Sequence, residues 1–148
     1  MASYRAVDLL TKSIPSSFYG GPVTVAGALT PAGGLLADKY YPVRIPAGTD
    51  VYRVTIKNAD LDSNGGPTLA IKIGYEPIDG STPVTDAFVA AGSTILQAVA
   101  AAGGNMFAFK PVRVDKESYL VIEVSTVAAT FAAGEITAIV EGMGLGTK

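Results

Sequence analysis

Two short stretches, residues 51–57 (VYRVTIK) and 68–75 (TLAIKIGY), decide the fold because apolar and polar residues alternate along both. Successive side chains of a β-strand point to opposite faces, so a period of two predicts strands with one buried face. The predicted inward residues are Tyr52, Val54 and Ile56 in the first stretch, and Leu69, Ile71, Ile73 and Tyr75 in the second. The pair indicates a β-scaffold.

The rest of the chain extends this pattern in both directions. Residues 58–67 (NADLDSNGGP) are rich in turn formers and predict an exposed loop between antiparallel strands. A strand-like run follows Asp38, and further strands are predicted at 94–99, 107–114, 119–125 and 136–141. Thr82 followed by Pro83 predicts a short helix over 83–91 that ends at Gly92. Seven or eight short strands at this spacing favour an antiparallel β-sandwich of jelly-roll type.

The first 37 residues predict an irregular N-terminal arm because proline and glycine interrupt them repeatedly. Only the beginning of this arm could form a helical turn or an edge strand. Residues 38–148 then form the sandwich, and the whole chain is predicted to be a single domain of 148 residues.

Composition limits the partners and the chemistry. The chain has no His and no Cys, and 11 basic against 13 acidic residues give a net charge of −2. This balance favours neither nucleic acid nor an anionic membrane as a partner. The long uncharged stretches 13–37 and 87–109 are interrupted by proline, glycine or polar residues, so neither predicts a membrane-spanning helix. Charged residues make up only 16% of the chain, which favours burial of surface against copies or a partner.

Catalytic and metal-binding patterns are weak. Without His or Cys, a Ser or Thr nucleophile lacks its usual base, and no G-x-S-x-G turn occurs. Two acidic pairs, Glu76 with Asp79 and Asp115 with Glu117, lie in turn-like segments and are interpreted as solvated loop charges. Residues 60–65 (DLDSNG) match the first half of a calcium loop, but its twelfth position would be Ile71, which favours a polar hairpin loop. We therefore expect neither an enzyme nor a cofactor.

The chain also resembles a known group of phage proteins. The resemblance rests on MASYRAVDLL at 1–10, RIPAGTDVYRVTIKNADLD at 44–62, LAIKIGY at 69–75, YLVIEVSTVAAT at 119–130 and GEITAIVEGM at 134–143. In this order, with a Pro/Gly-rich leader after the first segment, they resemble small tailed-bacteriophage virion proteins. In particular, the chain resembles capsid decoration or cement proteins of jelly-roll type.

The resemblance implies a structural role on a virus particle. Such a protein binds the outside of an icosahedral head between major capsid protein subunits and stabilises the shell, usually as a homo-oligomer, a dimer or trimer. It implies synthesis in the bacterial host cytoplasm and a final location on the capsid exterior. For this role we expect partner contacts from the aromatic and basic residues near the N-terminus and the first strand, namely Tyr4, Arg5, Phe18, Tyr19, Tyr40 and Tyr41.

A second interpretation is a carbohydrate-binding jelly-roll module. Tyr40 and Tyr41 are adjacent, so a strand would point them to opposite faces and expose one ring. That ring could stack on a sugar, while Asp60 and Asp62 would hold calcium.

Overall fold

The computed structural model describes residues 1–9 and 20–146, and nearly all regular structure in this part of the chain is β. The strands are β1 Ser3–Arg5, β2 Gly21–Leu29, β3 Lys39–Tyr41, β4 Arg44–Ile45, β5 Thr49–Asn58, β6 Ala70–Pro77, β7 Val84–Ser93, β8 Asn105–Val114, β9 Ser118–Thr126 and β10 Ile136–Gly144. A 3-10 turn covers Ile95–Gln97. Across the described residues, no helix has the length and apolar character needed to cross a membrane.

The strands form two sheets. The first has the order β1-β3-β9-β6-β7, with β4 also paired to β9, and the second has the order β2-β10-β5-β8. Among the described strands, only β1 pairs in parallel, with Ser3 opposite Lys39, and the other pairs are antiparallel. With β3 and β4 counted as one strand and β1 set aside, the strands form two four-stranded sheets, β3-β9-β6-β7 and β2-β10-β5-β8. The chain crosses from one sheet to the other at each connection except that between β6 and β7, as in a jelly roll. The predicted all-β fold is confirmed.

The core lies between the two sheets. From the first sheet it receives Ile71 and Ile73 of β6, and from the second it receives Val54 and Ile56 of β5, all fully buried. The sequence alternation predicted these four residues correctly. Burial of each side chain contributes about 1.5–3 kcal/mol.

Tyr52 departs from the predicted alternation because the strand has a bulge at this residue. Val51 pairs with Gly142 and Arg53 pairs with Glu141, so β5 has one residue more than β10 at this point, and Tyr52 is the extra residue. A bulge reverses the inward and outward alternation locally. Tyr52 is consequently 38% exposed, and its predicted inward position was wrong.

The helix predicted at 83–91 is instead part of β7. This segment pairs with β6, whose Gly74 has no side chain and lets the backbone at Val84 come close. Phe88 of β7 stacks on Phe109 of β8, with ring centroids 5.1 Å apart, and closes one side of the sandwich. Tertiary pairing therefore overrides the local helix signal. The strand predicted at 94–99 was also wrong, since its centre forms the 3-10 turn.

The N-terminal segment is more regular than predicted. Residues 21–29 form the nine-residue strand β2, which pairs with β10 along its whole length. Val23 and Val25 are buried while Thr24 is exposed, which is the alternation of a half-buried strand. Proline is tolerated at Pro22 because β2 is an edge strand. The irregular interpretation was therefore wrong for this segment.

Candidate interaction surface

Four connections between the two sheets meet at one end of the sandwich. In the second sheet the end of β2, the start of β10 and the end of β5 are adjacent, because Ile136 pairs with both Leu29 and Asn58. In the first sheet, β3 follows β2, β6 follows β5, and both begin at this end of the sandwich. Strand β9 precedes β10 and ends there. We call this end the loop platform, and its segments are residues 30–38, 59–69, 94–104 and 127–135.

The loop platform contains none of the eleven Lys and Arg residues of the chain. It does expose large apolar side chains: Leu35 is 66% exposed and Leu36 is 59% exposed, and Val99 and Val127 are exposed as well. Isolated exposed apolar residues are common, but several on one end without Lys or Arg are typical of an interaction surface.

The opposite end and the sheets carry the ion pairs. Lys116 binds Asp79 at 2.7 Å, and Arg44 binds Glu117 at 2.8 Å, both at the end opposite the loop platform. Lys72–Glu123 and Arg53–Glu141 link neighbouring strands, and Lys39–Glu76 links β3 to β6 across β9. Charge is thus distributed unevenly along the strand direction.

Asp62 organises two of the platform segments. It is 1% exposed, and its Oδ2 atom accepts hydrogen bonds from the backbone N–H groups of Thr68, Leu69 and Ala129. Its Oδ1 atom accepts another from Thr130 at 2.9 Å. Burial alone would raise the pKa of this carboxyl, but the four N–H donors outweigh it and hold the pKa well below its ordinary value.

These hydrogen bonds also argue against calcium binding by this loop. A calcium ligand needs free oxygen lone pairs, whereas both carboxylate oxygens of Asp62 face backbone donors. Asp60 accepts a hydrogen bond from the backbone N–H of Asp62, as in an Asx-turn. Within residues 1–9 and 20–146, no cluster of three or more His, Cys, Asp or Glu could hold a metal ion.

Asn58 joins the third segment to the others. Its Nδ2 atom donates to the carbonyl oxygens of Ile95 at 3.0 Å and Ala98 at 2.8 Å. The backbone N–H of Leu61 adds a bond of 2.9 Å to the carbonyl of Leu96. A buried polar side chain with several partners is costly to disturb, so this segment is held firmly.

Asp38 positions the fourth segment, which presents the two leucines. Its Oδ2 atom accepts the N–H of Leu35 at 3.0 Å, and its Oδ1 atom accepts the N–H of Ala2 at 2.6 Å. Ala37, between the leucines and this fully buried carboxylate, has a φ of 64°. Such a conformation is unfavourable for alanine and persists only where the surroundings enforce it.

The predicted contact residues occupy different environments. Tyr40 is 0% exposed and Tyr41 is 2% exposed, so the expectation that one of them faces solvent was wrong. Tyr40 donates to the carbonyl of Gly33 at 2.7 Å, and burial followed by the charge of Asp38 raises its pKa. Neither ring is available to stack on a sugar. Side chains of β1 help to cover the two rings, since Tyr4 packs beside Tyr40 and the Arg5 guanidinium lies 5.4 Å from the ring centroid of Tyr41.

The other four predicted contact residues lie near the N-terminus. The ring of Tyr4 is half-buried and packs 5.7 Å from that of Tyr40. Arg5 is exposed, and its guanidinium lies 5.1 Å from the ring centroid of Tyr119, a cation–π geometry. Phe18 and Tyr19 lie outside the described residues. The assignment of these residues to a partner remains a prediction.

The two acidic pairs do not form a shared acid site, because each acid has its own cation. The partners are Lys39 for Glu76, Lys116 for Asp79, Arg113 for Asp115 and Arg44 for Glu117. Ion-paired carboxylates at a protein surface are the expected state of solvated loop charges.

Leu35 and Leu36 were not predicted from the sequence. The uncharged stretch 13–37 was visible, as were two adjacent leucines in a Gly-rich segment. What the sequence could not give is their exposure, which depends on the buried position of Asp38 and the backbone turn at Ala37.

Comparison with solved structures finds this architecture in phage capsids. The chain is similar to a chain of the capsid of Ralstonia phage GP4, with a TM-score of 0.74 and 20% identity over 99% of this chain and 100% of that one. The chain has the fold of a phage capsid component. A chain of the Cyanophage Pam1 capsid asymmetric unit matches with a TM-score of 0.64 and 23% identity, covering 89% of this chain and 92% of that one.

A third likeness is to the acid-stable capsid of Helicobacter pylori bacteriophage KHP30, with a TM-score of 0.56 and 15% identity, covering 86% of this chain and 92% of that one. No protein-family model and no curated protein matches the chain. At these identities the likeness establishes a shared fold.

Proposed function

We propose that this protein is a structural component of a phage virion that binds the outer surface of the icosahedral capsid and stabilises it. The observation that carries the proposal is the whole-chain likeness to a chain in the Ralstonia phage GP4 capsid, in which neither chain has a large unmatched part. Two further phage capsids contain chains of the same fold. A fold can serve several functions, so experiments on particles must test the role.

The described surface is consistent with a structural role. The acidic side chains of the two candidate pairs are bound to separate cations rather than brought together. The loop platform, which contains no Lys or Arg, offers apolar contact area to a protein partner. The partner that we propose is the major capsid protein, assembled into a shell.

We further propose that the protein acts as a homo-oligomer, a dimer or a trimer. An oligomer on a symmetric shell can contact several coat subunits at once, and modest contacts then gain strength through effective concentration. Each copy would not need a large individual interface with the coat protein.

Co-sedimentation with shells tests the proposal. Purified protein is mixed with expanded shells of the phage that encodes it, centrifuged, and compared with a mixture that contains unassembled coat subunits. We expect the protein to pellet with shells and to leave coat subunits unbound. A protein that stays in the supernatant with intact shells overturns the proposal, and light scattering of the free protein reports the oligomer mass.

A further inference from the structure

We infer that the loop platform is the surface that seats on the shell, with Leu35 and Leu36 as its apolar anchor. The inference rests on the proposed function and names the part of the chain that performs it. The occupant is a patch of assembled coat protein that presents apolar and uncharged polar side chains. It is not an acidic patch, since the four segments contain acidic residues and no Lys or Arg to meet one.

The charge distribution supports this orientation. A protein attached to a shell has one end in contact with protein and the other end in water. Desolvation of ion pairs such as Lys116–Asp79 and Arg44–Glu117 would cost free energy, whereas these pairs are well solvated at a free end. The loop platform has no Lys or Arg to desolvate, and burial of its leucines is favourable.

The buried carboxylates of the platform do not oppose this docking. Asp62 and Asp38 already have backbone N–H donors as partners, so a docked protein would not remove water from them. Glu135 is exposed at the margin of the platform, where a charge can stay in contact with water.

The platform is also ordered before it binds. Asn58, Asp38 and Asp62 fix the backbone of all four segments through hydrogen bonds, and Phe131 packs against Gly34. A surface that is already ordered loses little conformational entropy on binding, so more of the apolar contact energy appears as affinity. Adjacent leucines on a fixed turn therefore gain free energy when their exposed apolar area is buried against a partner.

A pair of double variants tests the assignment. Leu35→Ser with Leu36→Ser removes the apolar anchor. Ile78→Ser with Val84→Ser is the matched control, because these side chains are each 39% exposed and flank the turn between β6 and β7 at the opposite end. Thermal unfolding and light scattering of each free variant test whether it retains the fold and the oligomer mass.

Affinity for shells is then measured by co-sedimentation at a series of protein concentrations. We expect the leucine variant to bind at least tenfold more weakly than the natural protein, a change of about 1.4 kcal/mol. The control should bind within twofold of the natural protein.

The outcomes separate the inference from the proposed function. If the natural protein binds and both variants bind equally well, the inference is wrong and the proposed function stands. If the natural protein itself does not bind, both fail. If the leucine variant loses its oligomer mass while the affinity per chain for shells is unchanged, the platform joins copies of this chain and the assignment to the shell is overturned.

Discussion

The backbone N–H of Thr130 donates a hydrogen bond of 2.9 Å to the carboxylate of Asp62, which lies 68 positions earlier in the chain. The same carboxylate accepts hydrogen bonds from the backbone N–H groups of Thr68 and Leu69, which belong to the same connection as Asp62. One buried side chain therefore fixes two loops that are distant in sequence. Order at this end of the sandwich depends on polar side chains as well as on the apolar core.

We predict that Asp62→Asn lowers the stability of the protein at neutral pH and reduces its sensitivity to acid. The pKa of Asp62 in the folded protein lies below its ordinary value of 3.8. Its contribution to stability is therefore present above about pH 4 and is lost as the pH falls toward the folded pKa. Urea unfolding at pH 7, 4 and 2.5 measures this change. The difference in the free energy of unfolding between the natural protein and Asp62→Asn should be smallest at the lowest pH. If both proteins lost the same stability as the pH fell, this role of the Asp62 carboxylate would be contradicted.

Gly74→Ala should destabilise the protein by about 1–3 kcal/mol, because the added Cβ would lie 2.5 Å from the backbone carbonyl carbon of Thr85 and push β7 away from β6. Gly103→Ala is the matched control, since its Cβ would have no heavy atom within 4 Å. Chemical denaturation of the two variants measures the difference. Equal midpoints for both variants would show that β7 is not packed closely against Gly74.

Tyr40→Phe should lower the free energy of unfolding by about 1–2 kcal/mol. The variant removes the hydroxyl that donates to Gly33 and leaves a carbonyl without this partner. Tyr52→Phe, at an exposed position of the bulge, should change the stability by less than about 0.5 kcal/mol. If thermal melts showed a larger loss of stability for Tyr52→Phe than for Tyr40→Phe, the assignment of Tyr40 as buried and Tyr52 as exposed would be wrong.

Gly34→Ala should weaken binding to shells although it leaves the side chains of Leu35 and Leu36 in place. A Cβ at this position would lie 2.6 Å from the Phe131 ring, so the segment that presents Leu35 must shift. Gly65→Ala lies in the same platform, where a Cβ has no heavy atom within 4 Å, and should bind like the natural protein. Co-sedimentation titrations compare the two. Unchanged affinity for Gly34→Ala would show that the exact placement of the leucine turn does not matter.

The sequence predicted the strands with clean alternation and failed where pairing in three dimensions decides the structure. Ile71 and Ile73 follow the period of two and are buried as expected. Tyr52 does not, because the bulge that exposes it arises from the pairing of β5 with β10. The helix signal at Thr82 and Pro83 is local, whereas Gly74 and the stacking of Phe88 act from other strands.

The candidate surface was less predictable than the fold. The sequence shows that the segments 30–37 and 94–104 are uncharged, but not that they lie at the same end. That proximity follows from the jelly-roll strand order. Tyr40 and Tyr41 were expected to offer an exposed ring, and the cover supplied by β1 was not visible in the sequence.

A cryo-electron microscopy reconstruction of shells, with and without added protein, tests the central claim most directly. The account predicts additional density on the outer surface that fits this sandwich, with Leu35 and Leu36 against the coat protein and the Lys116–Asp79 pair directed toward solvent. Shells that show no additional density after incubation with the protein, or density only on the inner surface, would contradict it.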